Sequence, residues 1–212
     1  MSFFTMSSST RYGSESGLSK AVFLDRDGVI NKAIVTSEGL DSPRSTHEFE
    51  LLPGVGAAIR ALNEEAVPVV VVSNQPGIAK AKFDAGSLDA MTELMHVRLA
   101  EDGARLTSVY YCLHHPEAIR SEYRVACACR KPKPGLLLRA AAELGLDLNA
   151  SYMVGDQERD MLAGKAAGCN TVLVGPSNHL STLGADHLSA DLISAVGLIF
   201  ELDRIPSFPA RR

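Results

Sequence analysis

The chain has 212 residues and a formal net charge of −4 at pH 7, which is enough for one domain with a hydrophobic core. The acidic balance and the lack of a long basic run argue against nucleic-acid binding, and no apolar run is long enough to span a bilayer. The Ser-rich segment 1–19 lacks the charged start and apolar centre of a secretory signal. We therefore expect a disordered tail over 1–19, a single domain over 20–205, and a cytoplasmic protein.

Apolar runs and helix-like segments alternate along the chain. The predicted strands are Ala21–Leu24, Val67–Val72, Leu106–Tyr111, Tyr152–Val154 and Thr171–Val174. Apolar residues three and four positions apart predict helices over Val55–Glu65, Ser87–Glu101, Gly135–Leu144 and Glu158–Ala167, with a closing helix over Ser189–Leu202. This alternation predicts an α/β fold with a doubly wound, mostly parallel, Rossmann-like sheet and no large cap domain.

Groups capable of chemistry follow four of the five predicted strands. They are Asp25 and Asp27, Ser73 and Asn74, Cys112, and Asp156. Ligands of doubly wound sheets bind outside the carboxyl ends of the strands, so this convergence predicts an active site there. A surface turn would explain the Asp-x-Asp-Gly sequence alone, but it would not explain the other strand ends.

The carboxylates at these strand ends suit phosphoryl transfer. Asp25 is the candidate nucleophile, and Asp27 could protonate the leaving alkoxide and then deprotonate the attacking water. Asp156, the Asp25 carboxylate and the Asp27 main-chain carbonyl would bind Mg²⁺, with Asp160 reaching the metal through water. The alternative is that Asp156 and Asp160 are only favourable charges in the first turn of a helix.

Positive and neutral donors for a phosphate lie in two loops. Ser73 and Asn74 offer a hydroxyl, an amide and main-chain N–H groups, although Ser-Asn-Gln-Pro-Gly is also a good turn sequence. Arg130 and Lys131 supply positive charge just before a predicted helix. A solvated basic loop is the alternative explanation for these two residues.

Three of the four cysteines lie close to one histidine in the sequence. The tetrahedral Zn²⁺ set that they suggest is Cys112, His114, Cys127 and Cys129. Four protein ligands would close the metal to substrate, so we expect a structural zinc that stiffens the loop and directs Arg130 and Lys131 toward the phosphate. Neighbouring side chains diverge, so His115 is not expected to be a ligand, and Cys169 is expected to be a small buried hydrophobic residue.

Together these motifs resemble the haloacid dehalogenase superfamily, and more closely its D-glycero-D-manno-heptose 1,7-bisphosphate 7-phosphatase branch. The matching segments are Phe23–Asn31, Ser73–Ala79, Cys112–Glu117, Cys127–Gly135 and Val154–Asp160. The resemblance implies that Asp25 is the nucleophile and Asp27 the general acid/base. It also implies that Ser73 and Lys131 hold the phosphoryl group and that Arg130 recognises a small sugar phosphate. Mg²⁺ would bind to Asp25, Asp27 and Asp156, and the structural Zn²⁺ to the cysteine and histidine set. The product would be a heptose 1-phosphate, an intermediate in the synthesis of nucleotide-activated heptose.

Two features depart from that branch. Gln157 stands where relatives carry a lysine beside the metal-binding aspartate, which puts one contact to the distal phosphate in doubt. The segment 32–52 is longer than the branch's specificity loop, lacks its Asp-x-Gly-Tyr-like stretch, and carries Arg44 and His47. We expect this segment to shape the substrate pocket.

Two other functions are compatible with parts of the sequence. Histidinol-phosphate phosphatase has a similar zinc loop, and acidic residues of the segment 32–52 could contact its imidazole substrate; they are Glu38, Asp41, Glu48 and Glu50. A catalytically silent zinc-stabilised binding module would predict a damaged site, whereas Asp25, Asp27 and Asp156 are all present. The sequence contains no indication of oligomeric state.

Overall fold

The computed structural model describes residues 18–37, 39–175 and 184–205. Its strands are β1 (Val22–Leu24), β2 (Ile34–Thr36), β3 (Gly39–Asp41), β4 (Val69–Asn74), β5 (Ser108–Cys112), β6 (Tyr152–Gly155), β7 (Asn170–Val174) and β8 (His187–Ser189). Its α-helices are α1 (Val55–Glu64), α2 (Ala85–Glu101), α3 (Gly135–Leu144), α4 (Glu158–Ala167) and α5 (Leu192–Leu202). No helix within these ranges is long and apolar enough to cross a membrane.

Six strands form one parallel sheet in the order β5-β4-β1-β6-β7-β8. The central strand β1 pairs with β4 and β6 through Phe23, which lies opposite Val70 on one side and Met153 on the other. All three residues are fully buried, as expected for parallel strands covered on both faces. The predicted doubly wound α/β fold is therefore confirmed.

The two faces of β1 belong to two separate parts of the core. Val22 and Leu24 lie in a cluster with apolar side chains of α1, α2 and α5. Phe23 points to the other face and joins a cluster with side chains of α3 and α4. This alternation places helices on both sides of the sheet and leaves its carboxyl edge open for a site.

Several element boundaries differ from the prediction by two or three residues. β4 continues through Ser73 to Asn74, because Asn74 pairs with Cys112 of β5. The closing helix α5 begins at Leu192 rather than Ser189, because Asp191 caps it by accepting a hydrogen bond from the Ser194 N–H at 2.8 Å. The short strand β8 precedes that cap and was not predicted.

The ends of the predicted domain lie near the limits of the described residues. Ser19 already pairs with Leu146 beside the main sheet, and its N–H donates to the Gly145 carbonyl. Residues 1–17 of the predicted tail lie outside the described residues, as do residues 206–212.

The segment between β1 and α1 forms an antiparallel hairpin of β2 and β3. Val35 pairs with Leu40 in this hairpin, and both side chains are largely exposed. At the end of β3, Asp41 forms salt bridges with Lys82 and with Arg44. These ion pairs fasten the hairpin beside the carboxyl edge of the main sheet.

Candidate active site

A polar pocket of about 270 Å³ lies at the carboxyl edge of the central strands. Asp25 follows β1, Ser73 lies near the end of β4, and Asp156 follows β6. The walls of the pocket include the β2–β3 hairpin and the loop after β5. The residues that line the pocket include Asp25, Asp27, Ser42, Ser73, Lys80, His115, Arg130, Asp156, Gln157 and Arg159. The predicted catalytic and phosphate-binding residues therefore come together around one cavity, except that Lys131 is buried behind Asp25.

Asp25 is buried at the base of this pocket. Its Oδ1 lies 3.0 Å from Lys131 Nζ and accepts a hydrogen bond from the Arg26 N–H at 2.7 Å. Burial raises the pKa of the Asp25 carboxyl, but the charge of Lys131 and the hydrogen bond from Ser73 outweigh it and hold the pKa below its ordinary value. The carboxylate is thus kept ionised, as a nucleophile requires.

Lys131 is fully buried between two carboxylates. Its Nζ lies 2.7 Å from Asp160 Oδ1 as well as 3.0 Å from Asp25 Oδ1. Burial lowers the pKa of Lys131, but the negative charges of Asp160 and Asp25 raise it above its ordinary value. The ammonium group therefore stays charged beside the nucleophile.

Asn74 sets the position of the Lys131 backbone. Its Oδ1 accepts from the Lys131 N–H and its Nδ2 donates to the Lys131 carbonyl, both at 3.0 Å. The predicted role of Asn74 was phosphate binding. Its side-chain amide is instead engaged with the loop that carries Lys131, which points to a positioning role.

Asp156 completes a group of carboxylates around the base of the pocket. One oxygen from each of Asp25, Asp156 and Asp160 lies within 4.8 Å of the others. Burial and the charges of Asp25 and Asp160 raise the pKa of Asp156 to about 7. Asp156 Oδ1 is buried, and no described residue donates a hydrogen bond to it. An unpartnered oxygen among three carboxylates fits a hard divalent cation, which would remove this repulsion.

Two local features hold Asp156 and Asp160 in place. Asp160 Oδ2 accepts from the Gln157 N–H at 3.1 Å, in a capping box at the start of α4. Asp160 therefore serves the helix start, as the alternative explanation proposed, and also pairs with Lys131. Opposite Asp156, Gly28 adopts φ +87°, and a Cβ there would lie 2.2 Å from Asp156 Oδ2. Only glycine meets both requirements at this turn.

Asp27 accepts hydrogen bonds on both carboxylate oxygens. Oδ1 accepts from Arg26 Nε at 3.0 Å and from Asn31 Nδ2 at 2.9 Å. Oδ2 accepts from Gln75 Nε2 at 2.8 Å and from Ser42 Oγ at 2.7 Å. None of these four partners was identified from the sequence. Arg26 and Asn31 could have been found from their places in the Asp-Arg-Asp-Gly motif, whereas Ser42 gives no local signal.

The predicted zinc ligands form a second cluster beside the pocket. One ligand atom from each of Cys112, His114, Cys127 and Cys129 lies within 4.8 Å of the others. The Sγ atoms of Cys112 and Cys127 are 3.8 Å apart, which matches the edge of about 3.8 Å of a tetrahedron with metal–sulfur bonds of about 2.3 Å. The hydrogen bond between the two thiols lowers the pKa of Cys129 to about 5 and raises the pKa of Cys112. The donor set therefore fits Zn²⁺. His115 lies outside this cluster and lines the pocket, and Cys169 is buried.

Basic side chains form part of the pocket wall; they are Lys80, Arg130 and Arg159. Arg130 Nη1 donates to the His114 carbonyl at 3.2 Å, which ties this guanidinium to the cysteine cluster. Burial and the charges of Arg130 and Lys80 lower the pKa of His115. Within the described residues, none of Lys80, Arg130 and Arg159 forms a salt bridge. This wall is therefore electropositive and open to an anion.

Comparison with known proteins agrees with the fold. Residues 128–193 match the HAD-hydrolase-like family. The D-glycero-β-D-manno-heptose-1,7-bisphosphate 7-phosphatase of Salmonella typhi is 39% identical over 183 residues, which cover 83% of this chain and 94% of that protein. The enzyme of the same name from Pasteurella multocida is 44% identical over 158 residues, 74% of this chain and 82% of its own.

Solved structures give the same result. The D,D-heptose 1,7-bisphosphate phosphatase of B. bronchiseptica, complexed with magnesium and phosphate, superposes with a TM-score of 0.74 at 33% identity over 86% of this chain and 99% of that one. The corresponding protein of Burkholderia thailandensis gives 0.60 at 29% identity, over 89% and 99%.

The parallel sheet and the match over residues 128–193 place the chain among the haloacid dehalogenase-like hydrolases, and its curated relatives are named phosphatases. Within that class, the sequence identity to the curated relatives and the share of their length that is covered identify the family. The chain belongs to the D-glycero-β-D-manno-heptose-1,7-bisphosphate 7-phosphatase family.

Proposed function

We propose that this chain removes the 7-phosphate of D-glycero-β-D-manno-heptose 1,7-bisphosphate in a Mg²⁺-dependent reaction through an aspartyl-phosphate on Asp25. The observation that carries the proposal is the buried Asp25–Lys131 pair beside Asp156, at the base of a pocket that basic side chains also line. The curated relatives of this family carry that activity in their names. The names of those relatives specify the β anomer, which supports β over the α anomer that the sequence left open.

In the first half of the reaction, a carboxylate oxygen of Asp25 attacks the phosphorus of the 7-phosphate. The bond from phosphorus to the C7 oxygen breaks, and Asp27 transfers its proton to the departing oxygen. Lys131 and Ser73 adjoin Asp25, where they can donate hydrogen bonds to the phosphoryl oxygens as charge redistributes.

In the second half, Asp27 takes a proton from a water molecule that attacks the aspartyl-phosphate. The phosphorus–oxygen bond to Asp25 breaks, inorganic phosphate forms, and the Asp25 carboxylate is restored. Gln75 and Arg26 donate hydrogen bonds to the Asp27 carboxylate. These bonds keep the carboxylate directed toward the pocket from the first half of the reaction to the second.

Asp25 and Asp156 would hold the magnesium ion, with Asp160 in support and the main-chain carbonyl of Asp27 as the further ligand predicted from the sequence. When bound, Mg²⁺ supplies charge neutralisation for the phosphate and for the carboxylates. The unpartnered Oδ1 of Asp156 supports this assignment. In the same way, the cluster of Cys112, His114, Cys127 and Cys129 would hold a structural Zn²⁺ that steadies Arg130.

The electropositive wall suits the second phosphate of a bisphosphate. Arg130 and Lys80 face the same cavity as the catalytic carboxylates. Gln157 is neutral, but Arg159, two residues further on, lines the same pocket. We assign Arg159 to supply the positive charge that the glutamine does not, which keeps recognition of a distal phosphate possible.

The deciding experiment measures phosphate release with Mg²⁺ from the β and α anomers of heptose 1,7-bisphosphate, with histidinol phosphate alongside. We expect the β-bisphosphate to give the highest kcat/KM and the product to retain its 1-phosphate. Preference for histidinol phosphate would show that the segment 32–52 selects another substrate. Absence of Mg²⁺-dependent release from all three would contradict the proposal.

A further inference from the structure

Among the hydrogen-bond partners of Asp27, one comes from the hairpin rather than from the main sheet. Arg26, Asn31 and Gln75 approach Asp27 through nitrogen atoms, and such nitrogens can only donate. The remaining partner is the Ser42 hydroxyl, 2.7 Å from Asp27 Oδ2. Within the described residues, Ser42 is therefore the one partner of this carboxylate that can either donate or accept.

This difference matters because a general acid must carry a proton and a general base must not. A protonated carboxyl oxygen needs an acceptor in front of it, and an ionised oxygen needs a donor. Nitrogen donors meet both oxygens: Arg26 Nε and Asn31 Nδ2 at Oδ1, and Gln75 Nε2 and Arg26 Nη2, the latter at 3.2 Å, at Oδ2. A proton on Oδ1 would therefore face donors alone. At Oδ2, the Ser42 hydroxyl can turn to accept from the protonated form and turn back to donate to the ionised form.

The hairpin fixes where that hydroxyl lies. Ser42 directly follows β3, and its N–H donates to Asp41 Oδ1 at 3.0 Å. Asp41 is in turn paired with Lys82 and with Arg44. The next residue, Pro43, is buried and restricts the backbone after Ser42. Leu40 of the same hairpin lines the pocket, so one element both forms a wall against the substrate and holds the hydroxyl on Asp27.

We propose that Ser42 is a positioning residue for the general acid/base, a role that rests on the proposed function. The hairpin holds the Ser42 hydroxyl against Asp27 Oδ2 and thereby fixes the orientation of this carboxyl group in the pocket. During the first half of the reaction, the proton leaves Asp27 for the departing oxygen of the substrate. The Ser42 hydroxyl then rotates to donate to the ionised Oδ2, and Ser42 itself gains and loses no atoms.

The test compares an alkyl phosphate, whose leaving oxygen needs a proton, with p-nitrophenyl phosphate, whose leaving group departs without one. For Ser42→Ala we expect kcat on the heptose bisphosphate to fall by about tenfold or more. This loss would be part of the rate enhancement that the general acid contributes. The first-turnover release of p-nitrophenolate should stay within about twofold of the wild-type rate, because it needs no acid. Ser42→Thr retains the hydroxyl and should restore most of the lost rate.

Ser45→Ala is the matched control, since it removes the same hydroxyl three residues further along the segment, outside the residues that line the pocket. It should change neither rate. Hydrogen exchange of the hairpin amides gives a readout independent of turnover, and protection should fall in Ser42→Ala but not in Ser45→Ala.

Equal losses on the alkyl and aryl substrates, or no loss on either, would overturn the role of Ser42. If the wild type prefers histidinol phosphate, the proposed substrate fails, but the same comparison can be made with that ester and still tests Ser42. A wild type that hydrolyses only the aryl ester would overturn both proposals.

Discussion

Replacing Asp156 by asparagine should stabilise the metal-free protein at alkaline pH while removing its activity. Burial and the charges of Asp25 and Asp160 raise the pKa of Asp156 to about 7 from 3.8. A carboxyl whose pKa is raised by folding contributes its full stability only below the unfolded value. That stability is lost as the pH rises from about 4 to about 7, because the folded protein then ionises a group that it holds unfavourably.

The size of the effect follows from the pKa difference. Moving from 3.8 to about 7 corresponds to about 4 kcal/mol when the pH is above 7. At pH 5 the same linkage gives less than about 2 kcal/mol, since the folded group is still protonated. Asp156 retains some contact with solvent in the pocket, and screening there reduces the value. We therefore expect Asp156→Asn to raise the free energy of unfolding at pH 8.5 by about 2–4 kcal/mol.

The assay is urea unfolding of zinc-replete protein, without Mg²⁺, at pH 5 and pH 8.5. Mg²⁺ at one thousand times its Kd should cancel this difference at pH 8.5, because the wild type gains about 4 kcal/mol and the variant does not. Asp186→Asn is the matched control. Burial raises the pKa of Asp186, but hydrogen bonds from Thr171 and the charge of Lys165 lower it overall, so this replacement should destabilise the protein at pH 8.5.

Two results would refute the reasoning about Asp156. One is a loss of stability in Asp156→Asn at pH 8.5 without Mg²⁺. The other is a difference between variant and wild type that does not change with pH, which would show that the three carboxylates do not repel one another as their positions imply.

Two further replacements test the other assignments. Asp25→Asn should reduce phosphate release by at least about a thousandfold while the circular dichroism spectrum stays unchanged, because the nucleophile is lost; release at the wild-type rate would rule out Asp25 as the nucleophile. Cys127→Ser should lose bound zinc on metal analysis and loosen the loop that carries Arg130, which would appear as a higher KM. Full zinc content in that variant would remove Cys127 from the ligand set.

The parts of the site that could be predicted are those that depend on strand ends and short spacings. Asp25, Ser73 and Asp156 follow buried apolar runs, and parallel topology brings such ends to one edge of a sheet. The cysteine cluster was found because two close pairs of ligands flank one loop. In both cases the chemistry lies within a few residues of a recognisable local pattern.

There is a physical reason why the contribution of the hairpin to the site could not be predicted from the sequence. β2 and β3 have three residues each and mixed polarity, and their apolar residues Val35 and Leu40 are exposed, so no period-2 pattern marks them. The ion pair of Asp41 with Lys82 joins residues 41 positions apart. Contacts of that kind depend on the assembled sheet, and the hydrogen bond from Ser42 to Asp27 depends on them.

Lys131 connects the two predicted clusters. Removing charges from water costs free energy, and a buried ion pair offsets that cost only when its geometry is well fixed. Lys131 Nζ lies between Asp25 and Asp160, at 3.0 and 2.7 Å from their carboxylate oxygens. Asn74 holds the Lys131 backbone from the side of β4. Cys129, two residues earlier in the chain, would hold it from the side of the proposed zinc site. A metal ion closed to substrate would thus act on catalysis by limiting where the lysine beside the nucleophile can lie.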